Sequence, residues 1–133
     1  MILLDTHAAI WLITDDSRLG PKSRAMINSA VDDDALFVSA ITFWEIAFLA
    51  ARRSIRPTRS PTEQRMKVLE AGVKELPITG EIAIRAVELN NLPGDPADRF
   101  IMATAITHGA TLVTADDALL NWQHSVPRAD ASK

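Results

Sequence analysis

The chain has 133 residues, no cysteine and a formal net charge of -3 at pH 7. Its length predicts one domain, and the missing thiols exclude disulfide bridges and thiolate zinc sites, which fits a reducing cytoplasm. The acidic balance does not indicate a nucleic-acid partner, so such a contact needs a local basic patch. The N-terminus lacks the features of a secretory signal, and the interrupted apolar runs predict no membrane span.

Short apolar runs alternate with longer helical patterns. The runs at 2–4, 36–38 and 111–114 are typical of parallel strands buried on both faces, and a shorter strand is expected within 73–78. A further edge strand is expected at 123–126. Helical patterns occupy 8–13, 23–31, 40–52, 61–72, 79–89, 97–108 and 117–122.

This alternation predicts an α/β fold, an α/β/α sandwich around a central, mainly parallel sheet of four to five strands. We assign residues 1–126 to the single domain and residues 127–133 to a flexible C-terminal tail. The helix at 40–52 is apolar nearly all round, which predicts that it is buried.

Four acidic residues lie in unusually apolar surroundings: Asp5 and Asp116 follow predicted strands, and Glu45 and Asp98 lie on helices. Functional groups in a parallel sheet gather beyond the carboxyl ends of the strands, so we expect the four to converge. Four carboxylates at one spot cannot all stay ionised without a cation. Oxygen-only ligands favour Mg²⁺ or Mn²⁺, which can activate water and neutralise a phosphodiester.

Each acid also has a structural explanation. Asp5 and Asp116 are placed to cap the helices that follow them. Asp95 is placed as the cap of the next helix, and Asp98 in its first turn is favourable to the helix dipole. Glu45 needs a neutralising partner, which an arginine would supply, either Arg52 or Arg99. The four acids together are more specific for a metal site than any one of them.

Four segments closely resemble the PIN-domain ribonucleases, and within them the VapC-type toxins of bacterial toxin–antitoxin pairs. These segments are residues 3–7, 39–46, 95–101 and 112–116. The resemblance implies a Mg²⁺- or Mn²⁺-dependent endoribonuclease acting on RNA, usually a homodimer and neutralised by a cognate VapB-like antitoxin. It also implies that the catalytic metal ligands are Asp5, Glu45, Asp98 and Asp116, and we add Thr6, Thr114 and Asp95 as supporting residues.

Two points depart from that pattern or stay open. Related members often carry a histidine and a bulky aromatic near the third acid, where this chain has Gly94 and Ala97. Their substrate preference is therefore not carried over. The fourth acid is either Asp116 or Asp117, and we choose Asp116 because it directly follows the strand.

The connector after the helix at 40–52 is basic, and we predict that Arg52, Arg53 and Arg56 contact RNA phosphates. The alternative is that Arg52 and Arg53 only complement the helix C-terminus. Two other functions compete with the nuclease: a phosphoryl-handling domain and a non-catalytic binding module. A dehalogenase-type phosphatase needs a second Asp two residues after the first, where this chain has His7.

Overall fold

The computed structural model describes residues 1–52 and 58–133, which build a parallel sheet covered by helices on both faces. Its strands are β1 (Ile2–Leu4), β2 (Leu36–Ser39), β3 (Lys74–Leu76), β4 (Thr111–Thr114) and β5 (Arg128–Asp130). The order across the sheet is β3-β2-β1-β4-β5, and every neighbouring pair is parallel. The predicted α/β sandwich is confirmed.

Seven helices cover the sheet within the described ranges. They are α1 (Thr6–Ile13), α2 (Pro21–Asp32), α3 (Ile41–Arg52), α4 (Pro61–Glu70), α5 (Gly80–Glu88), α6 (Pro96–His108) and α7 (Asp117–Leu120). Three of them, α2, α4 and α6, begin with proline, whose missing N–H costs nothing in the first turn. No described helix has the length and apolar character needed to cross a membrane.

The sheet separates two hydrophobic cores. Successive residues of a strand point to opposite faces, so Leu4 packs in one core and Leu3 in the other, and both are fully buried. Ile27 and Val68 belong to the first core, and Ile101 to the second. Burial on both faces explains why the central strands are continuous apolar runs.

The C-terminal residues were predicted wrongly as a mobile tail. Thr114 and Asp130 are register partners in the β4–β5 pair, and Ala131 is fully buried. The Ala131 N–H donates to the Thr114 carbonyl at 2.9 Å, and the Gly20 N–H donates to the Ala131 carbonyl at 2.9 Å. The fifth strand is thus Arg128–Asp130, not 123–126, and the domain extends beyond residue 126. An edge strand of charged and small residues has no apolar run to reveal it.

The prediction of a fully buried α3 is also wrong. Its buried residues are Thr42 and Ile46, whereas Trp44 is 52% exposed and Phe48 is 43% exposed. These two rings stack on each other at a centroid distance of 5.0 Å. The helix therefore presents an aromatic surface to solvent.

Deletion of residues 127–133 should destabilise the domain, because it removes β5 and exposes the edge of β4. We expect the free energy of unfolding to fall by about 3 kcal/mol or more, from several backbone hydrogen bonds at about 1 kcal/mol each and the buried Ala131. Urea denaturation followed by circular dichroism measures this change. An unchanged denaturation midpoint would support the prediction that residues 127–133 are a mobile tail.

Candidate active site

A cavity of about 330 Å³ lies beyond the carboxyl ends of β1 and β4. It is lined by Asp5, Thr6, His7, Trp11, Glu45, Asp95, Asp98, Ala115 and Asp116. All four predicted acids therefore face one space, although they come from four separate parts of the chain. We call this space the acidic cavity.

Asp5 is the buried anchor of the acidic cavity, with 5% of its surface exposed. It follows β1 directly and caps α1, because its Oδ1 accepts a hydrogen bond from the Ala8 N–H at 2.8 Å. Its Oδ2 accepts a short hydrogen bond from the Thr114 hydroxyl at the end of β4. Burial raises the pKa of Asp5, while the hydrogen bonds from Thr114 and Ala8 oppose that rise. Asp5 is thus both a helix cap and a site residue.

Thr114 also connects Asp5 to the fourth acid. Its hydroxyl oxygen accepts a hydrogen bond from the Asp116 N–H at 3.1 Å. The Asp116 side chain is exposed and caps α7 by accepting from the Ala118 N–H at 2.8 Å. Asp116 faces the acidic cavity, whereas the next residue, Asp117, lines a different cavity. This arrangement supports the choice of Asp116 over Asp117.

Asp98 lies among like charges. Burial, together with the negative charges of Asp95, Asp116, Glu45 and Asp5, raises its pKa to about 7. Asp95 caps α6, and its Oδ1 accepts from the Asp98 N–H at 3.1 Å. The prediction that Asp95 is the helix cap is confirmed, and Asp95 also faces the cavity.

Glycine at position 94 suits the close approach of the loop backbone to the Asp98 carboxylate. Gly94 has φ +120°, a region that L side chains rarely adopt. A Cβ on this residue would lie 3.0 Å from Asp98 Oδ2. The departure noted in the sequence therefore has a local reason, since the loop backbone approaches the third acid closely.

Glu45 reaches the cavity from α3, where it is half-buried. Burial raises its pKa; Asp95 and Asp5 reinforce that rise, while the Thr6 hydroxyl and His7 oppose it. The Thr6 hydroxyl also lies 3.2 Å from the hydroxyl of buried Thr42, a contact that links α1 to α3. Thr42 was not among the predicted residues, because nothing in the sequence distinguishes it from other helix threonines.

Neither arginine proposed as a partner neutralises Glu45. The Arg99 guanidinium donates to the backbone carbonyls of Ala86, Val87, Leu89 and Leu92. Arg52 lies over the Phe48 ring at 5.2 Å. None of the ion pairs in the described ranges includes Glu45. The explanation of Glu45 as the ion-pair partner of Arg52 or Arg99 therefore fails.

The predicted basic contacts are only partly located. Arg52 ends α3 and is exposed, but it does not line the acidic cavity. Arg53 and Arg56 lie outside the described residues. Predicted contact of these arginines with RNA stays a prediction.

The donor set of the acidic cavity suits a hard divalent cation. Apart from the His7 imidazole, its ionisable ligand atoms are carboxylate oxygens, which Mg²⁺ and Mn²⁺ prefer, and a cation would relieve the repulsion between them. Within residues 1–52 and 58–133, no three His, Asp or Glu residues are already arranged to hold a metal ion. The carboxylates therefore line one cavity, but no three of them are close enough together to bind one ion without side-chain movement.

Comparison with known proteins shows the family of the chain. The sequence profile of the PIN domain matches residues 2–123. The chain belongs to the PIN-domain family. It is 39% identical over 127 residues to ribonuclease VapC22 of Mycobacterium tuberculosis, an alignment that covers 95% of each chain.

Solved structures share this PIN fold. One is VapBC2 from Rickettsia felis bound to a promoter DNA fragment, with TM-score 0.70 and 15% identity over 97% of this chain and 98% of that one. Another is DNA-bound VapBC from Salmonella typhimurium, with TM-score 0.70 and 19% identity over 97% and 96% of the two chains. At these identities the likeness concerns the fold.

Asp98→Asn should stabilise the metal-free domain above neutral pH. The pKa of Asp98 is raised to about 7 from 3.8, so the folded state binds more protons than the unfolded state between these values, and stability falls as pH rises through that window. The penalty is complete above pH 7. Urea denaturation in EDTA should show the variant about 1 kcal/mol more stable than wild type at pH 8, after allowance for solvent screening at this half-exposed group, with little difference near pH 4.

Asp33→Asn is the control for loss of one exposed negative charge, since Asp33 follows α2 and lines a different cavity from the four acids. A gap between Asp98→Asn and wild type that stays constant from pH 4 to pH 8 would contradict the electrostatic account of Asp98.

Proposed function

We propose that this PIN-domain protein is a Mg²⁺- or Mn²⁺-dependent endoribonuclease that hydrolyses RNA phosphodiester bonds as the toxin of a type II toxin–antitoxin pair. The observation that carries the proposal is the convergence of Asp5, Glu45, Asp98 and Asp116 on one cavity. None of the ion pairs among the described residues involves any of these four acids. The mycobacterial relative, which is aligned over nearly the whole chain, is named a ribonuclease.

The four acids are the residues that would hold the cation. When bound there, a divalent cation neutralises charge on a phosphodiester and lowers the pKa of a coordinated water. Side-chain movement would have to draw the carboxylates closer, because no three are arranged for binding beforehand in the described part of the chain. Asp116 and Asp98 have room for that movement because they are exposed and half-buried respectively.

The protein's own groups divide the work by their surroundings. Asp5 is fixed on both oxygens, by Ala8 and Thr114, so it is the rigid reference of the site. The pKa of Asp98 is raised to about 7, so this carboxyl can hold a proton near neutral pH that a bound cation would displace. Glu45 lies near Thr6 and His7 in the acidic cavity, and we propose that its carboxylate accepts a proton from the attacking water.

A VapB-like antitoxin and a second copy of this chain are the protein partners that we propose. The Rickettsia and Salmonella structures are VapBC assemblies bound to DNA. The exposed Trp44–Phe48 stack on α3 offers apolar area of the kind that a protein partner covers. We place the protein in the cytoplasm, where RNA is available, and propose Arg52, Arg53 and Arg56 as RNA-phosphate contacts.

Asp98→Asn and Asp5→Asn should each lower RNA cleavage by at least about 100-fold, because each removes a carboxylate that the cation needs. The measurement is cleavage of a labelled RNA by the full chain in Mn²⁺, with circular dichroism confirming that each variant is folded. Asp33→Asn should cleave like wild type. Cleavage that persists equally in both site variants would remove the acidic cavity from the mechanism.

Mn²⁺ binding should release a proton, because the cation displaces the proton held on Asp98 near neutral pH. Isothermal titration at pH 7 in two buffers of different ionisation enthalpy should show release of a fraction of a proton from this group. Asp98→Asn should weaken binding by about tenfold or more and abolish that release. If wild type binds no Mn²⁺, the function is a non-catalytic one on the same fold.

A further inference from the structure

A second cavity, of about 440 Å³, lies next to the acidic cavity. Its side-chain functional groups come from Asn90, Asn91, Asp117, Asn121, Trp122 and Gln123. We call it the amide cavity, because four of these six side chains are carboxamides. The two cavities adjoin through consecutive residues: Asp116 faces the first and Asp117 faces the second. The Cα atoms of these two residues are therefore only about 3.8 Å apart.

The amides of this cavity are free to bind a ligand. All four carry exposed side chains, and none of those side chains takes part in a hydrogen bond with the part of the chain that the structure describes. Each amide offers two N–H donors and one carbonyl acceptor, so the set is suited to a planar ligand edge that has both donors and acceptors. A solvated amide is ordinary, but four around one cavity are a concentration of hydrogen-bonding capacity.

A rigid aromatic group supports the cavity. Trp122 is buried, and its indole N–H donates to the backbone carbonyl of Asn90 at 3.0 Å. The His124 ring stacks on the indole, with centroids 4.6 Å apart and planes within 3°. Arg128 fixes the same turn by donating to the carbonyls of Leu119, Trp122 and His124. These hydrogen bonds and this stacking therefore hold the backbone segments at 90–91 and 121–123 that carry the amides.

Charge decides which part of a nucleic acid fits here. The lining contains one carboxylate, Asp117, and no lysine or arginine, so it would repel a phosphate. A nucleobase is neutral and presents hydrogen-bond donors and acceptors along one edge, and asparagine and glutamine side chains pair with such edges. We infer that the amide cavity binds one base of the RNA strand, next to the phosphodiester held in the acidic cavity; this rests on the proposed function.

Asp117 gives the cavity a preference among bases. An ionised carboxylate only accepts hydrogen bonds, so it favours a base with an exocyclic amino group. Cytosine offers such a donor at N4, where uracil has a carbonyl oxygen that the carboxylate repels. The cavity therefore prefers cytosine to uracil. Asp117→Asn supplies an N–H donor at the same place and removes or reverses this preference.

The first test uses neutral nucleosides, which need neither metal nor cleavage. Cytidine titrated into the full chain in EDTA should shift the NMR signals of the Trp122 indole N–H and the Asn121 and Gln123 side-chain amides, and uridine should shift them less. In Asp117→Asn the difference between the shifts caused by cytidine and by uridine should disappear or reverse. The absence of shifts at these groups overturns the inference. Saturable shifts with a blocked dipeptide but none with nucleosides also overturn it, because they would indicate a peptide-binding surface.

The second test reads the same preference in cleavage. Two oligoribonucleotides in Mn²⁺ differ only by cytosine or uracil beside the bond that is cut, and the wild-type ratio of their rates is compared with that of Asp117→Asn. The ratio should change by about fivefold, as expected for one hydrogen bond gained or lost. Asp33→Asn, which removes an exposed acid that lines a different cavity, is the charge-matched control and should leave the ratio unchanged.

The two tests separate this inference from the proposed function. If the wild type cleaves no RNA but binds cytidine in preference to uridine, base binding in the amide cavity is supported and the nuclease function is contradicted. A wild type that cleaves RNA with the same ratio as Asp117→Asn overturns base binding at Asp117 and keeps the nuclease.

Discussion

The hydrogen bonds to buried Asp5 hold the acidic cavity together. This carboxylate joins three elements, since it follows β1, caps α1 through Ala8 and accepts from Thr114 at the end of β4. Its own N–H donates to the Val113 carbonyl at 3.0 Å, so the backbone carries the β1–β4 pairing past the strand end. A buried carboxylate with these partners is costly to move, because any shift leaves polar groups unpaired. The other acids are therefore positioned relative to a fixed point.

Like charges around that fixed point make the metal-free site expensive. The raised pKa of Asp98 shows the cost, and burial and four neighbouring carboxylates cause it. The rest of the domain offsets this cost through two hydrophobic cores on the faces of one sheet. Arg99 shows how the fold protects the arrangement: it lies one residue from Asp98, yet its guanidinium is occupied by backbone carbonyls instead of neutralising the acids.

Much of the fold was predictable from the sequence, because its signals are local and physical. Apolar runs marked the central strands, and the acids after them marked the functional edge of the sheet. The errors have equally local causes. β5 carries no apolar run, since one edge strand needs only backbone pairing, and its place depends on contacts with distant residues such as Gly20. The exposure of Trp44 could not be predicted, because a helix with an exposed aromatic surface has the same apolar composition as a helix buried in its own domain.

The sequence predicted which acids form the candidate site, but not which of two adjacent acids faces the acidic cavity. The sequence indicated which acids converge, yet it gave no means to separate Asp116 from Asp117, since both follow the same strand. In the fold, one cap decides between them: Asp116 accepts from the Ala118 N–H at 2.8 Å, and the first turn of α7 then turns Asp117 away from the acidic cavity. Two adjacent carboxylates thus face different surroundings, one among acids that suit a cation and one among amides that suit a base. A strand end followed at once by a short helix is what allows neighbouring residues of identical chemistry to take unlike roles.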